Sequence, residues 1–133
     1  MTDLELMNLA IEARKNAYAP YSGFSVGAAL LTADGKVFTG CNIENAAYSP
    51  TNCAERTAFF KAVSEGELNF SAIAVAGGKG DVPDALCTPC GVCRQVMAEF
   101  CNADFRVILG NGAHQSVYAL RDLLPLSFSL NAD

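Results

Sequence analysis

Three cysteines, split between two short segments, set the tightest constraint on how this chain can fold. Cys53-Ala54-Glu55 and Pro89-Cys90-Gly91-Val92-Cys93 both stand where the pattern of apolar residues turns helical. A thiolate at a helix N-terminus is stabilised by the positive end of the dipole and by backbone N–H groups with no partner inside the helix. A C-x-x-C on a first helical turn aims two sulfurs at one point. A third sulfur from another helix start gives a metal ion three protein ligands and leaves one position open. An open position is the mark of a catalytic zinc site, because a water must sit there. The fold must therefore bring together two helix starts that are distant in the chain. Glu55, two residues after Cys53, is too close to be an easy fourth ligand and well placed to move protons beside the metal.

Other readings of the same residues stay open at this point. A C-G-x-C after a helix start also suggests a thioredoxin-like dithiol, although the presence of Cys53-Ala54-Glu55 weighs against it. A structural zinc site would want a fourth ligand, and Cys87 could supply it, since Cys87-Thr88-Pro89-Cys90 is itself a C-x-x-C. Proline suits a first helical turn, so Pro89 favours Cys90 and Cys93 as the pair. The one histidine, His114, excludes a zinc site with two or more histidines in one chain. It lies by a Gly-containing turn and is expected at the surface. Cys41 and Cys101 are expected as small buried hydrophobes. Gly77-Gly78-Lys79-Gly80 lacks the spacing of a phosphate-binding loop and is expected as a plain connection.

The 133 residues suit one domain, taken as 1–133. Hydrophobic residues make up 51% and charged residues 17%, which leaves no compositional case for disorder. Apolar runs are far shorter than the ~20 residues needed to cross a bilayer. The acidic, amphipathic start does not resemble a signal peptide, so a cytoplasmic protein is expected. Six cysteines in that setting point to metal binding or catalysis more than to disulfides. The net charge is −5, and no Lys/Arg cluster is present. Nucleic-acid binders usually carry a basic face, so a small substrate is favoured over a polynucleotide.

Along the chain, Thr2 or Asp3 can cap a first helix that runs to about Tyr18. Phe24 to Thr32 and Val37 to Cys41 read as strands joined by a hairpin turn at residues 33–36. A second helix starts near Cys53, with Thr51 or Asn52 as cap, and runs to Glu65 before Gly66. Phe70 to Ala76 is a strand, and a third helix runs from Pro89 or Cys90 to about Cys101. Phe105 to Leu109 is a strand. A short strand near Ser116 and a helical turn over residues 121–124 follow. Apolar strands alternating with helices predict an α/β fold with helices on both faces of a mixed sheet.

The motifs as a set resemble the cytidine deaminase family in its small three-cysteine form. The resemblance rests on residues 42–45 (Asn-Ile-Glu-Asn), 51–56 (Thr-Asn-Cys-Ala-Glu-Arg) and 89–95 (Pro-Cys-Gly-Val-Cys-Arg-Gln). Residues 18–30 resemble the family's N-terminal signature and residues 123–128 its C-terminal one. It covers nearly the whole chain in order. Cysteine at position 53 stands where many zinc deaminases carry histidine. The resemblance implies one zinc ion per chain, held by Cys53, Cys90 and Cys93, with Glu55 as proton shuttle. It implies a three-layer α/β/α fold with about five strands and a homotetramer with shared active sites. It also implies that Phe24 packs on the cytosine ring, that Asn42 and Glu44 bind the ribose hydroxyls, and that the Ala54 backbone reads the base edge. Phe128 would reach a neighbouring subunit's site. Gly23 and Ser25 flank Phe24 where the family often has Lys and Pro, which suggests a looser loop. Tyr48 fits a pocket wall or a packing role equally.

Three thiolates on one zinc leave a net negative charge, which raises the pKa of the bound water relative to a three-histidine site. A positive group must offset it. Arg56 and Arg94 both adjoin site residues, and the resemblance favours Arg56, with Gln95 nearby. The implied activity is hydrolytic deamination of cytidine and 2′-deoxycytidine in pyrimidine salvage. Blasticidin deaminases share the Cys-Ala-Glu and Cys-x-x-Cys parts and give a second enzymatic reading. The segment Asn42 to Tyr48 looks like a ribose reader and favours ordinary nucleosides. A non-catalytic zinc-binding or RNA-binding module is a third reading, opposed by the acidic charge and by Glu55.

Overall fold

A computed structural model gives the structure of the chain and describes residues 1–130, so the last three residues of the expected 1–133 domain lie outside it. Helix α1 spans Asp3–Ala13, capped by the Thr2 hydroxyl, which accepts the Glu5 N–H. A 3-10 turn at Arg14–Asn16 follows. Strands β1 (Ser25–Thr32) and β2 (Val37–Cys41) form the expected hairpin. Then come α2 (Ala54–Ser64), β3 (Phe70–Gly78), α3 (Gly91–Phe100), β4 (Arg106–Gly110), β5 (Gln115–Ala119) and the short α4 (Leu120–Leu123).

The strands make one sheet in the order β2-β1-β3-β4-β5. The β3–β4 pair is parallel and the others are antiparallel, so the sheet is mixed as predicted. Alternation along the strands sends large and small residues to opposite faces. Leu30, Ile73, Val75, Val107 and Leu109 pack with Phe59 of α2 and Met97 of α3. Ala29, Ala72, Ala74 and Ala76 face the other way and receive Leu6, Met7 and Ala10 of α1. An alanine-lined face lets one helix sit close to the sheet. The bulkier face carries the two helices whose N-termini bear the cysteines.

The first helix ends earlier than its periodicity predicts. Tyr18 leaves the helix to donate its N–H to the Asn42 carbonyl (2.9 Å) and accept the Glu44 N–H (2.8 Å). Tertiary pairing thus overrides local helical preference. Ile43 exchanges two hydrogen bonds with Asn52 on its other side. The polar stretch 42–52, irregular in sequence, is in this way anchored against two neighbours and leads directly into α2.

Gly40 of β2 fixes how close α2 lies. A Cβ added there would stand 2.5 Å from the Ala54 carbonyl oxygen and 2.6 Å from the Ala58 nitrogen. Backbone atoms cannot yield cheaply, so Gly40→Ala must push the start of α2 outward. Overpacking of this kind costs about 1–3 kcal/mol. A denaturant melt should register that loss, whereas unchanged stability would mean α2 is not held by this contact.

Candidate metal centre and substrate cavity

The N-terminal residue of each key helix is itself a cysteine. Cys53 is the N-cap of α2 and Cys90 the N-cap of α3, and neither helix has a side-chain cap hydrogen bond. The expected caps on α2 are engaged elsewhere: the Thr51 hydroxyl accepts the Asn45 N–H, and the Asn52 amide donates to the Thr57 hydroxyl. Two helices of 11 and 10 residues thus begin at these cysteines, with their first N–H groups uncapped by a side chain and their positive dipole ends at that side.

Cys53 Sγ lies 3.8 Å from Cys90 Sγ, and Cys90 Sγ lies 3.4 Å from Cys93 Sγ. All three sulfurs fall within 4.8 Å of one another. Sulfurs on a tetrahedral zinc, each about 2.3 Å from the ion, stand about 3.8 Å apart. Donor chemistry and spacing thus both fit a zinc ion. Cys87 stands outside this trio among the described residues. Burial first, then the nearby Glu55 charge, pushes its thiol up to about 11.

Positive charge reaches the sulfurs through Arg56. Its Nη2 donates to Cys53 Sγ at 3.1 Å. A hydrogen bond from Cys93, and then those from Arg56, hold the Cys53 thiol down at about 5 against the opposing effect of burial. Arg94 is turned away and donates to the carbonyls of Pro89 (2.8 Å) and Leu123 (2.7 Å). The Gln95 amide donates to the Phe128 carbonyl at 3.0 Å, tying α3 to the C-terminal segment. Successive helical residues turn by about 100°, which carries Gln95 well round the helix from Cys93.

Glu55, in the first turn of α2, is only 4% exposed. Burial pushes its carboxyl up to about 7. A carboxyl poised there can both take and release a proton near neutral pH. It opens on a cavity of about 270 Å³ whose wall also includes Cys53, Cys90, Ala54, Phe24, Asn42 and Glu44. Every residue singled out for base, sugar, metal or proton chemistry thus borders one space, except Cys93, beneath it in the core, and Phe128. Phe128 is 68% exposed on the surface. Val26, Thr51, Asn52, Cys87 and Thr88 complete the wall, and Val26 and Thr88 had no sequence signal for that role.

The loop before β1, where Gly23 and Ser25 suggest looseness, carries a set of hydrogen bonds to Asn42 and Glu44. Gly23 has φ +67°, a conformation that L residues rarely adopt. Glu44 accepts the N–H groups of Tyr21 and Ser22 and the Ser22 hydroxyl. Asn42 accepts the Val26 N–H and donates to the Phe24 carbonyl (2.8 Å). Tyr48 is exposed, with φ +62°, in a neighbouring groove that shares Glu44 with the main cavity.

Remaining expectations resolve simply. His114 is exposed on the β4–β5 turn. Gly78 and Gly80 turn their carbonyls to the Arg14 guanidinium, which is no cradle for phosphate. Cys41 and Cys101 are half-buried and not fully buried as expected, although burial raises the Cys41 thiol and takes that of Cys101 up to about 12. No helix among the described residues is long and apolar enough to cross a membrane.

Removing the Arg56 charge should weaken the thiolate trio. Arg56→Gln is expected to purify with less zinc than the parent or to turn over more slowly at full zinc content. Metal analysis beside a rate assay checks both arms, and an unchanged value in each refutes the compensating role.

Comparison with known proteins agrees with this geometry. Residues 1–110 match the family model described as the cytidine and deoxycytidylate deaminase zinc-binding region. A cytidine deaminase from Halalkalibacterium halodurans is 57% identical over 127 residues, covering 93% of this chain and 92% of that one. A blasticidin-S deaminase from Bacillus cereus is 32% identical over 133 residues, covering 97% and 94%. The crystal structure of cytidine deaminase from Burkholderia pseudomallei superposes with a TM-score of 0.88 at 50% identity, covering 96% of this chain and all of that one. With its sulfur trio, its mixed sheet and a match over most of its length, the chain belongs to the cytidine and deoxycytidylate deaminase family, whose zinc-binding region it carries.

Proposed function

We propose that this chain, acting as a single catalytic domain, converts cytidine and 2′-deoxycytidine to uridine and 2′-deoxyuridine with release of ammonia, a reaction of pyrimidine salvage. The observation that carries the reading is a buried Glu55 opening on the same cavity as the sulfur trio and the Phe24, Asn42 and Glu44 side chains. Cys53, Cys90 and Cys93 would hold the zinc. Bound there, the metal supplies Lewis-acid activation of water for attack on C4 of cytosine.

Glu55 does the proton work. Its carboxylate takes a proton from the attacking water and delivers it to N3 as the C4–O bond forms. It then takes the proton of the new C4 hydroxyl and passes it to the amino group. The C4–N bond breaks, ammonia leaves, and C4 keeps its oxygen as the uracil carbonyl. Burial suits this cycle, because a carboxyl near neutrality serves as base and acid in turn.

Recognition falls to the rest of the wall. Phe24 packs on the ring, and the backbone at Ala54, the first residue of α2, reads the base edge beside Glu55. Asn42 and Glu44 bind the sugar hydroxyls. Each keeps hydrogen-bonding capacity beyond its contacts within the chain. The presence of this pair favours an ordinary nucleoside over an antibiotic one. Arg56 offsets the thiolate charge, and Gln95 braces the C-terminal segment.

The working form is a cytoplasmic homotetramer in which Phe128 of one chain reaches a neighbour's cavity. Exposure of Phe128, Leu126 and Leu130 on one segment supports that reading. The net charge of −5 favours a free nucleoside over nucleic acid.

Loss of ultraviolet absorbance on adding cytidine measures the reaction directly. General acid–base help contributes ~10²–10⁴-fold, so Glu55→Ala should lose at least that much in kcat. Near-parental turnover in that variant removes Glu55 from the chemistry. Sedimentation at four chain masses, with a raised KM in Phe128→Ala, is the expected outcome for assembly. A monomer of full activity refutes shared sites.

A further inference from the structure

The proposed reading gives Phe24 and Glu44 separate tasks, one on the base and one on the sugar. In the structure a single hydroxyl joins them. Ser22 Oγ donates to Glu44 Oε2 at 2.5 Å and accepts the Phe24 N–H at 3.0 Å. We propose that Ser22 is a positioning residue that sets the Glu44 carboxylate for the sugar hydroxyls and couples it to the placement of Phe24. The inference rests on the reading of Glu44 as a sugar ligand.

Counting acceptor directions gives the coupling its content. A carboxylate offers about four lone-pair directions. Glu44 Oε1 accepts the Tyr21 N–H (3.0 Å) and the Ser22 N–H (3.1 Å). Oε2 accepts the Ser22 hydroxyl, which leaves one direction on that oxygen. The Ser22 hydroxyl therefore decides where the last acceptor of Glu44 points. The same hydrogen bond holds the Glu44 carboxyl below its usual range, so it stays ionised as an acceptor.

The Phe24 peptide is gripped from both ends by the sugar-reading side. Its N–H goes to Ser22, which is bonded to Glu44, and its carbonyl accepts the Asn42 amide at 2.8 Å. The left-handed Gly23 between them makes the turn that brings the Ser22 hydroxyl back to the Phe24 N–H. A sugar that engages Glu44 thus acts on a group already linked to the ring-packing residue. Val26 is held by Asn42 in the same way, so the link continues into β1.

The test compares kcat/KM for cytidine and for 2′,3′-dideoxycytidine, which lacks both sugar hydroxyls of interest. Ser22→Ala should lower the preference for cytidine about tenfold, chiefly through KM, the size expected for one lost hydrogen bond to a charged group. Ser22→Thr keeps the hydroxyl and should restore the preference. In a Glu44→Ala background, adding Ser22→Ala should change the preference less than twofold. Equal loss on both substrates in Ser22→Ala, failure of Ser22→Thr to restore, or a full further loss in the double variant would each overturn the proposal. If Glu44→Ala alone leaves the preference at the parental value, the reading of Glu44 as a sugar ligand fails, and the proposal falls with it. Melting temperatures of each variant separate these outcomes from simple loss of fold.

Discussion

Everything at this site depends on gathering three thiolates within a few ångströms of one another. Bare, such a group repels itself strongly, because like charges at contact distance in a partly dry setting interact far more than in water. The fold answers with three sources of positive potential. Two helices begin at the sulfurs, and their first N–H groups have no side-chain cap. Arg56 donates to Cys53. The sulfur spacing suits a divalent ion as the third source. Leaving a helix start uncapped costs about 1 kcal/mol in an ordinary helix, and here both N-cap positions hold a candidate metal ligand instead of a capping side chain.

That requirement explains the rest of the architecture. The α2 helix has to sit hard against β2, which Gly40 permits. The parallel β3–β4 pair has α3 between its strands in sequence, so α3 lies on the same face as α2. The segment 42–44 is fixed by Tyr18 on one side and Asn52 on the other. Asn42 and Glu44 are thereby tied to the start of the helix that carries Cys53 and Glu55. The candidate metal ligand Cys53 and the residues proposed for substrate recognition share one backbone path.

Much of this was legible in the sequence, and for physical reasons. Cysteine pairs at helix starts, proline before Cys90 and a carboxylate two residues after Cys53 are local patterns with local consequences. The strand periods gave the sheet, and the hairpin at residues 33–36 made it mixed. What was not legible depends on contacts between distant segments. Nothing near Tyr18 announces that it pairs with Ile43 instead of extending α1. The choice between Arg56 and Arg94 turns on where α3 meets the Leu123 carbonyl. Cys87 has the spacing of a ligand, and only the folded position of its sulfur, outside the group of three, separates it from the trio. Ser22 lies in the stretch 18–30 that resembles the N-terminal signature, but nothing local gives it a role, because its partner Glu44 is remote in the chain.

The central claim is that three sulfurs, and not four, hold the metal, so that one position stays open for chemistry. X-ray absorption at the zinc edge of the purified protein measures this directly. The account predicts three sulfur neighbours at about 2.3 Å and one lighter oxygen or nitrogen neighbour. Four sulfur neighbours, with Cys87 drawn in as the last ligand, would contradict it.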